Sequence, residues 1–401
     1  MGIIRKKVRF PLFLVLVGLL ISVGLDACQS EPTQQSSQEI PTPIAGFSMT
    51  PVAAASPINI PSEGSHSTPG ATPGPGTPTP GATETGQPTP PTSTSPPPVQ
   101  HNGVRPVLAF YYPWYSTSTW CTCQMSDQPT IKYNSSDNTT IERQLNWAAT
   151  AGLTGFISSW WGAGDQTDTN FQKLLSDSAS LQSSTGYNFA SSIYFETDAP
   201  AFQGSAKTVS ALDYLASHYM NNSHFFHWNG HPVIFFWDPL GNGRTLSYWA
   251  SIRQQVDPNH QMIWSAEGVD MTLLTVFDGL HLFSGGYWGL QHNTMPAVDQ
   301  GFRSKITAYN QANGTQKIWA AGIIPGYDDT RVPGRVGAYI VPRDNGATYT
   351  TSWEAAMSSN PEWITITSFN EWFEGAEIEP SVTWGNEYLN LTQKFTQEWN
   401  G

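Results

Sequence analysis

Val107-Leu-Ala-Phe-Tyr-Tyr-Pro-Trp-Tyr115 is the stretch on which the fold turns. Its first six residues are β-branched, apolar or aromatic, the composition of a strand. In a doubly wound dinucleotide-binding sheet a Gly-rich phosphate loop would follow the first strand. Tyr112-Pro-Trp-Tyr115 stands there instead, so dinucleotide binding has no support. Seven similar runs follow: Gly155 to Ser159, Phe189 to Phe195, Val233 to Trp237, Met262 to Ala266, Gly279 to Phe283, Ile318 to Ile323 and Ile364 to Ser368. Longer amphipathic stretches separate them, namely Thr140 to Ala151, Phe171 to Leu181, Val209 to Tyr219, Leu246 to Val256, Gly301 to Asn313 and Ser352 to Met357, with a last one near Glu387 to Trp399. Strand and helix in alternation imply parallel βα units, and eight of them in about 300 residues fit a closed (β/α)8 TIM barrel better than an open sheet.

A barrel of this kind builds its site where strand C-termini run into their loops. The residues there are polar and aromatic: Tyr111, Tyr112, Trp114 and Tyr115, then Trp160 and Trp161, then Glu196 and Asp198. Trp237, Asp238, Glu267, Asp270, His281, Tyr287 and Trp288 continue the series, followed by Tyr327, Asp328, Asp329 and Arg331 and by Asn370, Glu371, Trp372 and Glu374. Carboxylates and aromatics converging on one rim suit a carbohydrate. Tyr111, Tyr112, Trp114, Trp160, Trp161, Glu196, His281, Tyr287, Tyr327, Asn370 and Trp372 are the expected substrate-binding residues. Some of the rim residues also have a plainer reading. Glu196 and Tyr112 could serve as barrel-end hydrogen bonds, Trp160 and Trp161 as barrel plugs, His281 as a packed histidine, and Asp328 with Arg331 as an ion pair shaping a loop.

Glycoside cleavage uses an acid for the leaving oxygen and a second carboxylate at the sugar. Glu371 and Glu374 lie three apart just after the eighth run, so one helical turn would place both on one side. Glu at this spacing is also common on solvated helices. Here Trp372, Phe373 and Gly375 are interleaved where a solvated face would carry Lys or Gln. Glu377 and Glu379 are near in sequence as well.

Ile366-Thr-Ser-Phe-Asn-Glu-Trp-Phe-Glu-Gly-Ala-Glu-Ile-Glu-Pro380 resembles the C-terminal signature of glycoside hydrolase family 99, the endo-α-1,2-mannosidases and mannanases. Phe110-Tyr-Tyr-Pro-Trp-Tyr115, Ser159-Trp-Trp161, Ile193-Tyr-Phe-Glu196, Phe277-Asp-Gly279 and Pro325-Gly-Tyr-Asp-Asp-Thr-Arg331 are similar to further segments of that family, in the same order. The resemblance implies a retaining, endo-acting α-mannosidase on a barrel. Glu371 would take a proton from the sugar 2-hydroxyl, which attacks the anomeric carbon to form a 1,2-anhydro sugar, and Glu374 would be acid and then base. It implies no cofactor and no metal. The sequence departs from the family at Phe373, Ala376 and Glu377, and at Val332-Pro-Gly-Arg335 where relatives often have Arg-Pro-Trp. Those departures leave a related α-glycan such as α-1,3-glucan open as substrate, and a non-catalytic glycan-binding lipoprotein is the reading from another class.

The first hundred residues have a different character. Arg5, Lys6, Lys7 and Arg9 precede an apolar run from Phe10 to Leu25. At roughly 16 residues it suits a signal peptide over residues 1–27 better than a membrane span, which needs about 20. Leu25-Asp26-Ala27-Cys28 resembles a bacterial lipobox, so Cys28 is the expected lipid anchor, with ordinary secretion or an uncleaved anchor as alternatives. Residues 28–103, rich in Pro, Thr, Ser and Gly, cannot bury enough surface to order themselves and read as a tether to the barrel at 104–401. The expected place is the cell envelope, outside the cytoplasm.

The formal net charge of −13, from 18 Lys plus Arg against 31 Asp plus Glu, leaves no basic footprint for nucleic acid. Sixteen Trp suit sugar stacking and core filling alike. Cys121 and Cys123 lack the further ligands of a structural zinc site and read as a local disulfide or two free thiols. The expected partners are a saccharide and, through the anchor, a membrane, with the chain a monomer.

Overall fold

The computed structural model describes residues 103–283, 285 and 294–401. The signal segment, Cys28 and all but the last residue of the tether lie outside the described residues, as do Tyr287 and Trp288. Eight parallel strands form the barrel: β1 Val107–Tyr111, β2 Gly155–Trp160, β3 Ser192–Phe195, β4 His231–Phe236, β5 Ile263–Glu267, β6 Gly279–His281, β7 Ile318–Ile323 and β8 Trp363–Ile366. Each pairs with its neighbours in sequence, as in Leu108↔Gly155 and Ile193↔Ile234, and Val107↔Ile364 joins β8 to β1. The sheet therefore closes and has no open edge.

Outside it lie α1 Asn138–Thr150, α2 Gln166–Thr185, α3 Ser205–His218, α4 Leu246–Val256, α5 Met295–Asn313, α6 Ala347–Ser358 and α7 Glu387–Asn400. Between β5 and β6 a short 3₁₀ helix, Met271–Thr275, takes the place of an α-helix. Helix α1 shows why these segments dock: Ile141, Leu145 and Ala148 recur at spacings of four and three and form one buried stripe. Asp165 caps α2 by accepting the Thr167 N–H, and Gly186, at φ +78°, ends it.

The period of two along each strand divides the wall into two sides. Val107, Ala109 and Tyr111 pack outward among the helices, while Leu108, Phe110 and Tyr112 pack inward. Trp160, Phe195 and Phe236 likewise face out, and Tyr194, Phe235 and Phe283 face in. The interior is filled with rings: Phe110 lies 4.7 Å from Tyr194 and 5.0 Å from Phe283, centroid to centroid. Such pairs add about 0.5–1.5 kcal/mol each beyond area burial. The barrel is a packed plug, and open chemistry is confined to its ends.

After β7 the chain forms an antiparallel ribbon, Tyr327–Asp328 against Ile340–Val341. The loop it closes leans over the C-terminal rim.

Candidate active site

The segment after β8 is drawn to the end of β1 by Asn370. Its Oδ1 accepts the Tyr112 N–H at 2.7 Å and its Nδ2 donates to the Tyr112 carbonyl at 3.1 Å. Glu371 follows, its N–H donating to Ser368 Oγ at 2.6 Å. Trp372–Glu374 then form a single 3₁₀ turn, with Glu371 as its N-terminal flanking residue. The turn keeps Glu374 close enough to Glu371 for its charge to act on that carboxyl. Gly375 lets the chain leave: its φ is +57°, and a side chain there would press on Ser126 and the Asp328 backbone.

The two carboxyls have unequal surroundings. Glu371 is buried, with Tyr115 Oη 3.4 Å from its Oε1 and the Phe373 N–H also donating to it. The same Tyr115 oxygen accepts the Trp372 N–H at 3.0 Å. Burial first, then the charge of Glu374, pushes Glu371 well above the usual carboxyl range. Glu374 is also raised by burial, but Arg335 opposes the rise with Nη2 at 2.6 Å from Oε1. Arg335 Nε lies 3.1 Å from Asp329 Oδ2.

Around the pair stand inward-facing groups from other strands. Ser159 Oγ donates to Glu196 Oε1 at 2.7 Å, and burial pushes Glu196 up to about 8. Tyr112 is flanked by Trp114 at 4.7 Å, and Trp114 by Trp161 at 6.2 Å. The charges of Glu371, Glu196 and Glu374 all act on the Tyr112 hydroxyl, which puts these groups about one space. Tyr327 is held by Asp329, to which its hydroxyl donates at 3.3 Å, and it faces Glu374.

Several expected ligands lie elsewhere. Tyr111 points out of the barrel, donating to Gln144 of α1 at 2.7 Å and stacking on Phe156. Trp160 also points out, its Nε1 bonded to Asp168 at 2.9 Å and its ring stacked on Phe202. Both belong to the layer between strands and helices. His281 is fully buried among Phe110, Tyr194 and Phe235, with Nδ1 3.0 Å from Ser265 Oγ. Burial lowers it to about 3, so it is a neutral core histidine. Asn370 spends its amide on Tyr112, and Trp372 is buried with Nε1 bonded to Glu379 and Tyr133 at 3.1 and 3.2 Å. These two support the loop rather than face a ligand. Tyr287 lies outside the described residues.

Asp328 and Arg331 do not pair with each other. Asp328 accepts from Thr330, while Arg331 donates to the Thr122 and Met125 carbonyls. Glu377 is tied to Arg343 at 2.7 Å and Glu379 to Gln144 at 2.7 Å, so neither joins the pair. Cys121 and Cys123 form a disulfide. Two site residues escaped the sequence reading. Tyr194 is buried in the barrel with no hydrogen-bond partner for its hydroxyl among the described residues, and period-two counting from Glu196 would have turned it inward. Arg335 stood in a loop marked only as a departure, its sign opposite to that of the rim.

A (β/α)8 barrel with a buried carboxyl pair and aromatic walls on its C-terminal rim has the layout of a glycosidase. The model of glycosyl hydrolase family 99 matches residues 125–395, and the chain belongs to that family. A glycoprotein endo-alpha-1,2-mannosidase-like protein of Danio rerio is 35% identical over 141 residues, 31% of this chain and 30% of that one. The glycoprotein endo-alpha-1,2-mannosidase of Mus musculus is 22% identical over 301 residues, 67% of this chain and 62% of its own length. The mouse endo-alpha-1,2-mannosidase-like protein is matched over 56% of its length, so the chain spans little more than half of such relatives. Among solved structures, the GH99 endo-alpha-mannosidase from Bacteroides thetaiotaomicron superposes with a TM-score of 0.62 at 22% identity, covering 74% of this chain and 97% of that one. That likeness supports the barrel fold.

Proposed function

We propose that the protein is a glycoside hydrolase, a retaining endo-acting α-mannosidase for α-1,2 linkages. The observation that carries the reading is the Glu371–Glu374 pair on the rim, Glu371 buried and under the charge of Glu374, with Arg335 2.6 Å from Glu374. The names of the relatives above point to the sugar and linkage. In the first half-reaction Glu371 accepts the proton of the 2-hydroxyl as O2 bonds to the anomeric carbon, and the leaving oxygen takes a proton from Glu374. In the second, Glu374 accepts a proton from water as its oxygen bonds to that carbon and opens the anhydro ring, and Glu371 returns its proton to O2. Two inversions give retention. Tyr112, Trp114, Trp161 and Glu196 line the sugar side.

The departures at Phe373, Ala376 and Glu377 keep an α-1,3-glucan or another α-glycan as the second reading. Incubation with linear α-1,2-mannan, yeast mannan and α-1,3-glucan, with product size and anomeric configuration followed by NMR, separates the two. Short oligosaccharides of retained configuration from α-1,2-mannan, abolished in Glu374→Gln, are expected. Undiminished hydrolysis by that variant would overturn the assignment. The same reading places the barrel outside the cytoplasm on a lipid at Cys28, and Cys28→Ser should then release the protein from the membrane fraction.

A further inference from the structure

The surroundings of the pair run against its proposed division of labour. The acid, Glu374, needs a proton, yet Arg335 sits 2.6 Å from its Oε1 and donates to it. That contact favours the ionised form. Burial and the charge of Glu374 favour the protonated form of the base, Glu371, against the charge of Arg335, the Phe373 N–H and the long contact from Tyr115. The cation thus sits on the member of the pair that has to carry the proton.

Arg335 is placed so that it can let go. It comes from the loop between the ribbon strands, where Gly334 and Gly337 hold φ of +75° and +76° and Val336 is 83% exposed. The Arg335 side chain turns in, to 9% exposure. Asp329, which binds its Nε, is fixed by the Tyr339 N–H at 2.9 Å and by Tyr327. When Nη2 leaves Glu374, the guanidinium still has a carboxylate partner.

We propose that Arg335 is a positioning residue that decides which member of the Glu371–Glu374 pair carries the proton, and that a sugar entering on the leaving-group side displaces it and so arms Glu374. The proposal rests on the function proposed above. Proton and charge balance: the pair holds one proton and one negative charge before and after, the proton leaving Glu371 and arriving on Glu374. Glu371 is then free to take the 2-hydroxyl proton. Among the described residues, the other groups facing the pair are Tyr112 and Tyr115 after β1, Tyr194 and Glu196 from β3, and Tyr327 and Asp329 after β7. Of all these only Arg335 is a cation, so its withdrawal is the event that raises proton affinity at Glu374.

The test is a titration of the full chain labelled with carboxyl ¹³C-glutamate, without substrate, for wild type, Arg335→Gln and Arg335→Lys. In Arg335→Gln the Glu374 midpoint should move up by at least one pH unit, with Arg335→Lys staying near wild type. An unmoved Glu374 midpoint in Arg335→Gln would overturn the proposal. Should that variant not fold, wild-type kinetics decide it: the alkaline limb of kcat, which reports the complex, should lie at least one unit above that of kcat/KM, which reports the free enzyme. Coincident limbs would overturn the proposal. A wild type that cleaves no α-mannoside would sink the proposed function, while the titration of the empty site would still decide the role of Arg335.

Discussion

Asn370 and Tyr112 are 258 residues apart and joined by two hydrogen bonds, the Asn370 side chain satisfying both the N–H and the C=O of Tyr112. The carboxyl pair at Glu371 is therefore referenced to the strand that carries the Tyr112 wall. Replacing Asn370 by Ala would leave two buried backbone groups unmatched, at a cost of about 1–3 kcal/mol each. Asn370→Ala should lower the denaturation midpoint accordingly and reduce kcat more than it raises KM. A variant of native stability and native kcat would refute this role.

Trp160 and Trp161 are neighbours with opposite duties. Trp160→Ala should cost about 3–5 kcal/mol of stability, the usual range for a buried Trp lost from a core. Trp161→Ala, at the half-buried rim, should change stability far less and raise KM for the glycan. Equal stability losses in chemical denaturation, or a KM effect confined to Trp160, would contradict the assignment of sides.

Tyr194 offers a hydroxyl inside the barrel that meets no partner among the described residues. A buried hydroxyl without a partner costs roughly 1–3 kcal/mol, so Tyr194→Phe should be neutral or stabilising to the fold. If that hydroxyl waits for the sugar, the same change lowers kcat/KM by about tenfold, one hydrogen bond's worth. Unchanged kinetics with raised stability would make Tyr194 a packing residue only.

Asp299 in α5 is fully buried with neither carboxyl oxygen hydrogen-bonded among the described residues, and burial pushes it up to about 8. Its folded value lies above the unfolded value of 3.8, so the folded state binds the proton more tightly. The stability this contributes is complete below pH 3.8 and declines as pH rises toward about 8. Asp299→Asn should therefore raise the unfolding free energy at pH 8, on the order of a few kcal/mol at about 1.4 kcal/mol per unit, and with it the melting temperature, and hardly change either near pH 4. Equal melting shifts at both pH values would show that the carboxyl does not titrate this way.

The eight strands and most of the helices were legible along the chain because each is a local property: a short apolar run, a 3.6-residue stripe, a cap. Helix ends differed by a few residues, as at α2, which begins at Gln166 under the Asp165 cap rather than at Phe171. The sides of Tyr111 and Tyr112, or of Trp160 and Trp161, were not legible in the same way. A parallel barrel wall is apolar on both faces, so hydropathy does not alternate along it and cannot say which aromatic looks inward.

By itself the sequence determined the barrel, the family signature from Val107 to Pro380 and the position of Glu371 and Glu374 on the rim, since all of these reside in consecutive residues and their spacing. Tertiary structure alone decided what surrounds that pair. Tyr115 reaches Glu371 across 256 residues, and Arg335 reaches Glu374 across 39. A carboxyl's protonation is set by burial and by charges within a few ångströms, and those neighbours are brought together only when the sheet closes and its loops lean over the rim.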